Sequence, residues 1–248
     1  MASLRPFPAG LPSPSGDSWG LAPLSGRLVE ISGHRASANL TVAFGLVLEA
    51  QSLDEPVAWV TLAQSTFFPP DAAESGIDLA RLAVVRVSDG LAACRAVVEL
   101  TRSGGFGLVV LDLGPGALRE IRLRPSGYGG TSPERFARRR ELEKPAPRAR
   151  PSAVVSTKAE RFRRKHPSLS VPFITKLVGL AQKTATAVVV LTEKTRESSS
   201  LNSLVSLRCE ARRNPERPCE VEIDVLKDKR RGPGRRYREV CRAPAGLR

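Results

Sequence analysis

The residues with the most chemical promise sit in one glycine-framed stretch, Gly26-Arg27-Leu28-Val29-Glu30-Ile31-Ser32-Gly33-His34-Arg35-Ala36-Ser37-Ala38-Asn39-Leu40-Thr41. It reads as a short apolar strand, a glycine turn and the opening of a helix. A phosphate-binding loop occupies that setting when the pattern is G-x-x-x-x-G-K-[ST]. Gly33 stands at the first glycine, but Ala38, Asn39 and Leu40 stand where the second glycine, the lysine and the hydroxyl residue belong. Each change removes a function. Ala38 lacks the freedom at positive φ that lets such a loop close around phosphate with its backbone N–H groups. Asn39 carries no cation for the phosphates, and Leu40 offers no hydroxyl to Mg²⁺. Thr41 comes one position late, turned by roughly 100° around the helix. On this stretch alone two readings stand: a nucleotide site that has lost its ligands, or an ordinary strand–turn–helix.

Two further groups of residues bear on chemistry. Asp112 closes the apolar run Phe106–Leu113, where a carboxylate at a strand's C-terminal end can serve a nucleotide site or accept loop amides. The second group is cationic: Arg138, Arg139 and Arg140; Arg161, Arg163, Arg164 and Lys165; and Lys227, Lys229, Arg230, Arg231, Arg235 and Arg236. Such side chains neutralise phosphates and release counterions, giving sequence-independent, salt-sensitive binding to nucleic acid. Phe136, Phe162 and Tyr237 are interleaved as stacking platforms for single strands. Gly232-Pro233-Gly234 forms a turn that presents the last cluster. Solvated tails, or arginines meeting acidic protein surfaces, are the plainer alternatives.

The elements that must position these residues follow from periodicity. Apolar strands are predicted at Leu28–Ser32, Val57–Leu62, Leu82–Val87, Phe106–Leu113 and Ala185–Thr192. Helices are predicted from about Leu40 to Ala50, over Gly90–Ser103 behind a Ser88-Asp89 cap, and over Leu169–Lys183. A short helical stretch starts near Asp71. Continuous apolar runs alternating with helices predict an α/β fold with a largely parallel, buried sheet flanked by helices. Leu204–Arg212, Cys219–Leu226 and Arg236–Cys241 alternate apolar with polar residues, which predicts antiparallel strands at one edge. The expected division is a Pro-rich leader at 1–24, one domain from 25–118 and 168–242, a basic insertion at 119–167 with a short helix near Pro133–Leu142, and a tail at 243–248.

Charge sharpens this division. The 248-residue chain has a net charge of +14, yet residues 1–118 carry 7 Lys/Arg against 11 Asp/Glu. Residues 119–168 carry 15 against 5, and the last 24 residues carry 9 against 2. The basicity therefore belongs to the insertion and the C-terminal end, not to the core, and points to DNA or an acidic protein surface. Cys94, Cys209, Cys219 and Cys241 form no C-x-x-C pair, and the only histidines are His34 and His166, so no zinc site is expected. Cys94 is expected in the core. The leader has no secretion-signal pattern and no run reaches the ~20 apolar residues of a membrane span. A cytoplasmic protein without a membrane partner is expected.

Taken together, these pieces resemble the core of the RecA recombinases over roughly residues 25–115 and 169–240. Gly26–Thr41 matches in kind the family's strand and phosphate loop, and Phe106–Leu113 its Walker B strand with Asp112 at the carboxylate. Ala187–Glu193 is similar to the strand leading to the sensor glutamine. Glu222–Lys229 is similar to the late strand whose two lysines approach a neighbour's nucleotide. The departures matter equally. Ala63-Gln64-Ser65 offers no carboxylate where the family's catalytic glutamate follows the second strand, and Glu193 stands where the sensor glutamine would be. Only Thr195–Asn202 remains at the family's second DNA-binding loop, and the leader replaces the N-terminal packing helix.

A RecA-like core with a degenerate loop, a basic insertion and a basic C-terminal end resembles the ImuA family of the bacterial mutasome. That resemblance implies a non-catalytic role in SOS mutagenesis and translesion synthesis, with no cofactor. It implies work beside an ImuB-like Y-family polymerase homologue and an error-prone DNA polymerase, with RecA and nucleoid DNA as further contacts. The DNA contact expected is non-sequence-specific and single-stranded. Two alternatives are an ATP-dependent DNA-binding ATPase with an altered loop, and a cell-division inhibitor resembling SulA.

Overall fold

The computed structural model describes residues 18–34, 37–63, 67–114, 171–217 and 219–240. Eight strands form one sheet among these residues: β1 (Leu28–Gly33), β2 (Val57–Leu62), β3 (Leu82–Val87), β4 (Leu108–Asp112), β5 (Ala187–Glu193), β6 (Leu207–Arg213), β7 (Glu220–Asp228) and β8 (Arg236–Val240). The helices are α1 (Asn39–Ser52), α2 (Pro69–Glu74), α3 (Gly90–Ser103) and α4 (Val171–Thr184). The strand order is β3-β2-β4-β5-β1-β6-β7-β8. Pairing is parallel from β3 through β1 to β6, and antiparallel between β6 and β7 and between β7 and β8.

The parallel half explains itself from composition. β1, β2, β4 and β5 are buried along almost their whole length, because helices cover both faces. On one face α1 packs Val42, Ala43, Leu46 and Val47 against Val29, Ile31, Trp59, Val110 and Val189. On the other, α3 and α4 bring Ala93, Val97, Ile174 and Leu177 onto Leu28, Ala58, Val109 and Val188. Cys94 lies in that second core. The start of α3 is set by Asp89, whose carboxylate accepts the Leu91 and Ala92 N–H groups at 2.9 Å. Its end is set by Gly104 at φ +69°, a left-handed position that glycine adopts without strain.

Four strand starts shift from their sequence expectation: β4 begins at Leu108 instead of Phe106, β7 at Glu220 instead of Cys219, and β5 and β6 also start later. β5 begins at Ala187 because Ala185 turns left-handed at φ +56°, and its carbonyl accepts the Gly26 N–H at 3.0 Å. β6 begins at Leu207 because Asn202–Ser206 forms a turn, with the Val205 N–H on the Asn202 carbonyl and the Ser206 N–H on the Leu28 carbonyl. The β7–β8 connection turns at Gly232 and Gly234, both at positive φ, with Pro233 between them. A buried Arg27–Asp228 ion pair at 2.5 Å ties the start of β1 to the end of β7. Residues 1–17 of the leader, the basic insertion with its expected helix, and the tail at 243–248 lie outside the described residues. The end of the expected leader belongs to the domain instead, because Leu21 and Leu24 are buried in the α1-side core. Among those described, no helix is long and apolar enough to cross a membrane.

Candidate functional site: the β1–α1 junction and the charged edge sheet

The β1–α1 junction lies at the C-terminal end of β1, between β5 on one side and β6 on the other. Register places Gly33 opposite Glu193, so the junction and the end of β5 lie side by side. The space over Gly33 is filled by side chains that follow it. A Cβ added at Gly33 would collide with the Ser37 hydroxyl and the Asn39 amide oxygen. Ala38 is buried, and its N–H donates to the Ala211 carbonyl of β6 at 3.2 Å. Ser37 forms an antiparallel bridge with Arg212. Asn39, at the lysine position, donates from Nδ2 to the Thr192 carbonyl at 2.9 Å, and its buried Oδ1 has no donor. Leu40 is half-buried against the α1 core. Thr41, half-buried, follows it on α1.

Asp112 sits at the end of β4, one strand beyond β5. Its carboxylate is buried and accepts the Gly114 N–H at 3.0 Å, with the Thr61 hydroxyl at 3.5 Å. The Trp59 indole N–H faces it from β2 without reaching hydrogen-bond geometry. Burial pushes the Asp112 carboxyl above its usual range, and the Gly114, Trp59 and Thr61 donors only partly offset that. A carboxylate so enclosed accepts loop amides. Among the described residues no group of three His, Cys, Asp or Glu side chains gathers to hold a metal.

The segment after β5 holds charges that the sequence reading did not single out. Glu30, fully buried on β1, pairs with Lys194. It also accepts the Thr192 hydroxyl at 3.1 Å, the Ser200 hydroxyl at 3.1 Å and the Leu201 N–H at 2.9 Å. Lys194 donates in turn to the Ser199 carbonyl at 2.7 Å. Arg208 of β6 donates to the Ser198 carbonyl and, at 2.9 Å, to that of Thr195. Desolvation pushes the Lys194 ammonium down, with Glu30 opposing. These groups strap residues 194–201 onto the sheet. The available signal was Glu30 itself, a carboxylate inside an otherwise apolar strand.

The late cations are unequal. Lys227 turns back to the Asn202 and Ser203 carbonyls at 3.4 and 3.0 Å. Arg236 binds Asp224 at 2.6 Å, as do Arg212 at 2.6 Å and Arg196 at 2.8 Å. Arg235 is half-buried. Lys229, Arg230 and Arg231 are exposed around the β7–β8 turn. Arg138, Arg139, Arg140, Arg161, Arg163, Arg164 and Lys165 lie outside the described residues.

No protein-family model matches the chain. RecA from Thermotoga petrophila is 36% identical over 87 residues, which is 35% of this chain and 24% of that protein. RecA from Heliobacterium modesticaldum is 33% identical over 87 residues, 35% of this chain and 25% of the relative. The chain thus spans about a quarter of the length of the curated relatives it matches. A crystal structure of the RadB recombinase superposes with a TM-score of 0.52 at 16% identity, covering 86% of each chain. The core is RecA-like. The parallel strands, the antiparallel edge and the β1–α1 junction of this RecA-like core follow the expected order, while the junction's residues do not carry the phosphate-loop pattern.

Proposed function

We propose that this chain is a RecA-like protein without nucleotide chemistry that binds DNA and partner proteins in DNA-damage tolerance, as the resemblance to ImuA implies. The observation that carries the reading is the junction. Ser37 and Asn39 fill the space over Gly33, and no cation stands at the lysine position. Asp112, buried on the Gly114 amide, supports the same reading, because a carboxylate held there serves the fold without a metal.

Function in this reading falls to the basic segments. Lys229 and Arg230 stand exposed at the β7–β8 turn, suited to phosphate contact. The insertion arginines would add to them, and an ImuB-like polymerase homologue, an error-prone polymerase and RecA would be the protein partners. A cytoplasmic, nucleoid-associated location follows from such a role.

Two measurements test it together. A titration of the chain with Mg-ATP should show no saturable binding. Affinity for a single-stranded oligonucleotide should fall with salt, and K229A/R230A should lower it. Each lost phosphate contact should flatten the log–log salt slope by about 0.7. Saturable ATP binding would restore the altered-loop ATPase reading. An affinity indifferent to ionic strength would remove DNA contact from the proposal.

A further inference from the structure

The β1–α1 junction is more than a phosphate loop stripped of its ligands. We infer that β6 has taken the end of the loop, Ser37 and Ala38, into the sheet, so that restoring the missing side chains does not restore a nucleotide site. This inference rests on the non-nucleotide reading above and goes past it. It concerns the backbone, whereas the sequence pattern speaks only of side chains.

Contacts in three directions carry the argument. Toward β6, the Ala38 N–H donates to the Ala211 carbonyl at 3.2 Å, and Ser37 bridges Arg212 in antiparallel register. A phosphate cradle needs its loop N–H groups aimed at the ligand, and an amide spent on a strand carbonyl is withdrawn from that set. Toward β5, the Asn39 amide donates to the Thr192 carbonyl at 2.9 Å, and the Lys194 N–H donates to the Gly33 carbonyl at 3.0 Å. Inside the turn, the Ser37 hydroxyl accepts the Asn39 N–H at 3.2 Å and stands over Gly33 together with the Asn39 amide oxygen. The described ends of the loop, Gly33 and Ser37–Asn39, are therefore sewn to both flanking strands, and the space over Gly33 is filled.

The seam also has an anchor. Arg212, whose backbone meets Ser37, holds its guanidinium on Asp224 at 2.6 Å in the Arg196–Arg212–Arg236 cluster. Ser32, just before the turn, donates to the Cys209 carbonyl at 2.9 Å. Opening the junction would thus require β6 to yield the Ala211 and Arg212 contacts while its ion pairs to β7 stay in place. The physical consequence is a junction that works as an interlock between the parallel and antiparallel halves of the sheet.

The test uses the full chain and a variant that rebuilds the G-x-x-x-x-G-K-T pattern, A38G/N39K/L40T. Both are titrated with a fluorescent ATP analogue in Mg²⁺, after circular dichroism shows that the variant is folded. The expected result is no saturable binding by either. Amide hydrogen exchange on the unaltered chain reads the seam directly, whether or not the variant folds. The Ala38 N–H should exchange about 100-fold or more slowly than an open loop amide. Binding by the variant alone, or Ala38 exchange at the open-loop rate, overturns the interlock and leaves the non-nucleotide reading intact. Binding by the unaltered chain overturns both.

Discussion

Two charged clusters meet β6 at Arg208 and at Arg212, and their surroundings separate them. Under the segment 194–201, Glu30 and Lys194 have side chains 0% and 8% exposed, with Arg208 beside them. On the edge sheet, Asp224 is buried, but Arg196, Arg212 and Arg236 around it are 47%, 43% and 52% exposed. The first cluster is cut off from water, so the Glu30 and Lys194 charges depend on each other and Arg208 on the carbonyls it meets. The second shares its guanidiniums with solvent, which screens them and can replace a lost contact. The same residue types thus fix a segment in one place and lace an open sheet face in the other.

The sharpest way to test this contrast is to remove Glu30. Glu30→Ala leaves Lys194 buried without its carboxylate and should destabilise the chain by about 3–5 kcal/mol in denaturant unfolding. Much of that loss should return in E30L/K194M, which removes the charges as a pair. A loss below about 1 kcal/mol would mean that water reaches the cluster and that the two regions do not differ.

Removing the edge carboxylate should cost less. Asp224→Ala is expected to lose about 1–2 kcal/mol, because the three guanidiniums regain water. Its pH dependence has a defined sign. Partial burial by itself pushes the Asp224 carboxyl up, but hydrogen bonds from Arg236 and Arg196 and the charges of Arg236 and Arg212 hold it below the usual 3.8. Ionised Asp224 therefore contributes its stability above pH 3.8, and the contribution fades as pH falls through the lower folded value. The gap between parent and variant should narrow over that acid range and also in high salt. A gap that is constant with pH would place the stabilisation in packing instead of charge.

Asp112 should show the smallest effect and the opposite sign. Burial holds its carboxyl above the usual 3.8, so its favourable contribution is complete below 3.8 and is lost as pH rises through the folded value. At neutral pH Asp112→Asn should lie within about 1 kcal/mol of the parent and on the stable side, because an uncharged acceptor still meets the Gly114 N–H. If thermal melts instead show the variant losing stability as pH rises, the buried carboxylate is paired with a cation and the assignment fails.

The parallel core was legible because β1, β2, β4 and β5 are buried on both faces, which demands unbroken apolar runs. The edge strands were legible from alternation, and the α3 boundaries from Asp89 and Gly104. The junction was legible only in part. Ala38, Asn39 and Leu40 announce missing ligands, yet nothing in their order says that Ala211 of β6 would accept the loop amide. Likewise Lys227 and Arg236 read as free cations until the fold aims one at the Asn202–Ser203 carbonyls and the other at Asp224.

The amino-acid order by itself determined what local physics sets: which segments are strands or helices, where caps and turns fall, and that the phosphate-loop side chains are absent. The tertiary structure alone decided what the charges and the loop backbone do. Those roles depend on partners such as Ala211, Thr192, Glu30 and Asp224, brought from distant parts of the chain by strand order. Burial then decides which of those contacts carry weight, since a charge cut off from water must be paired and an exposed one need not be.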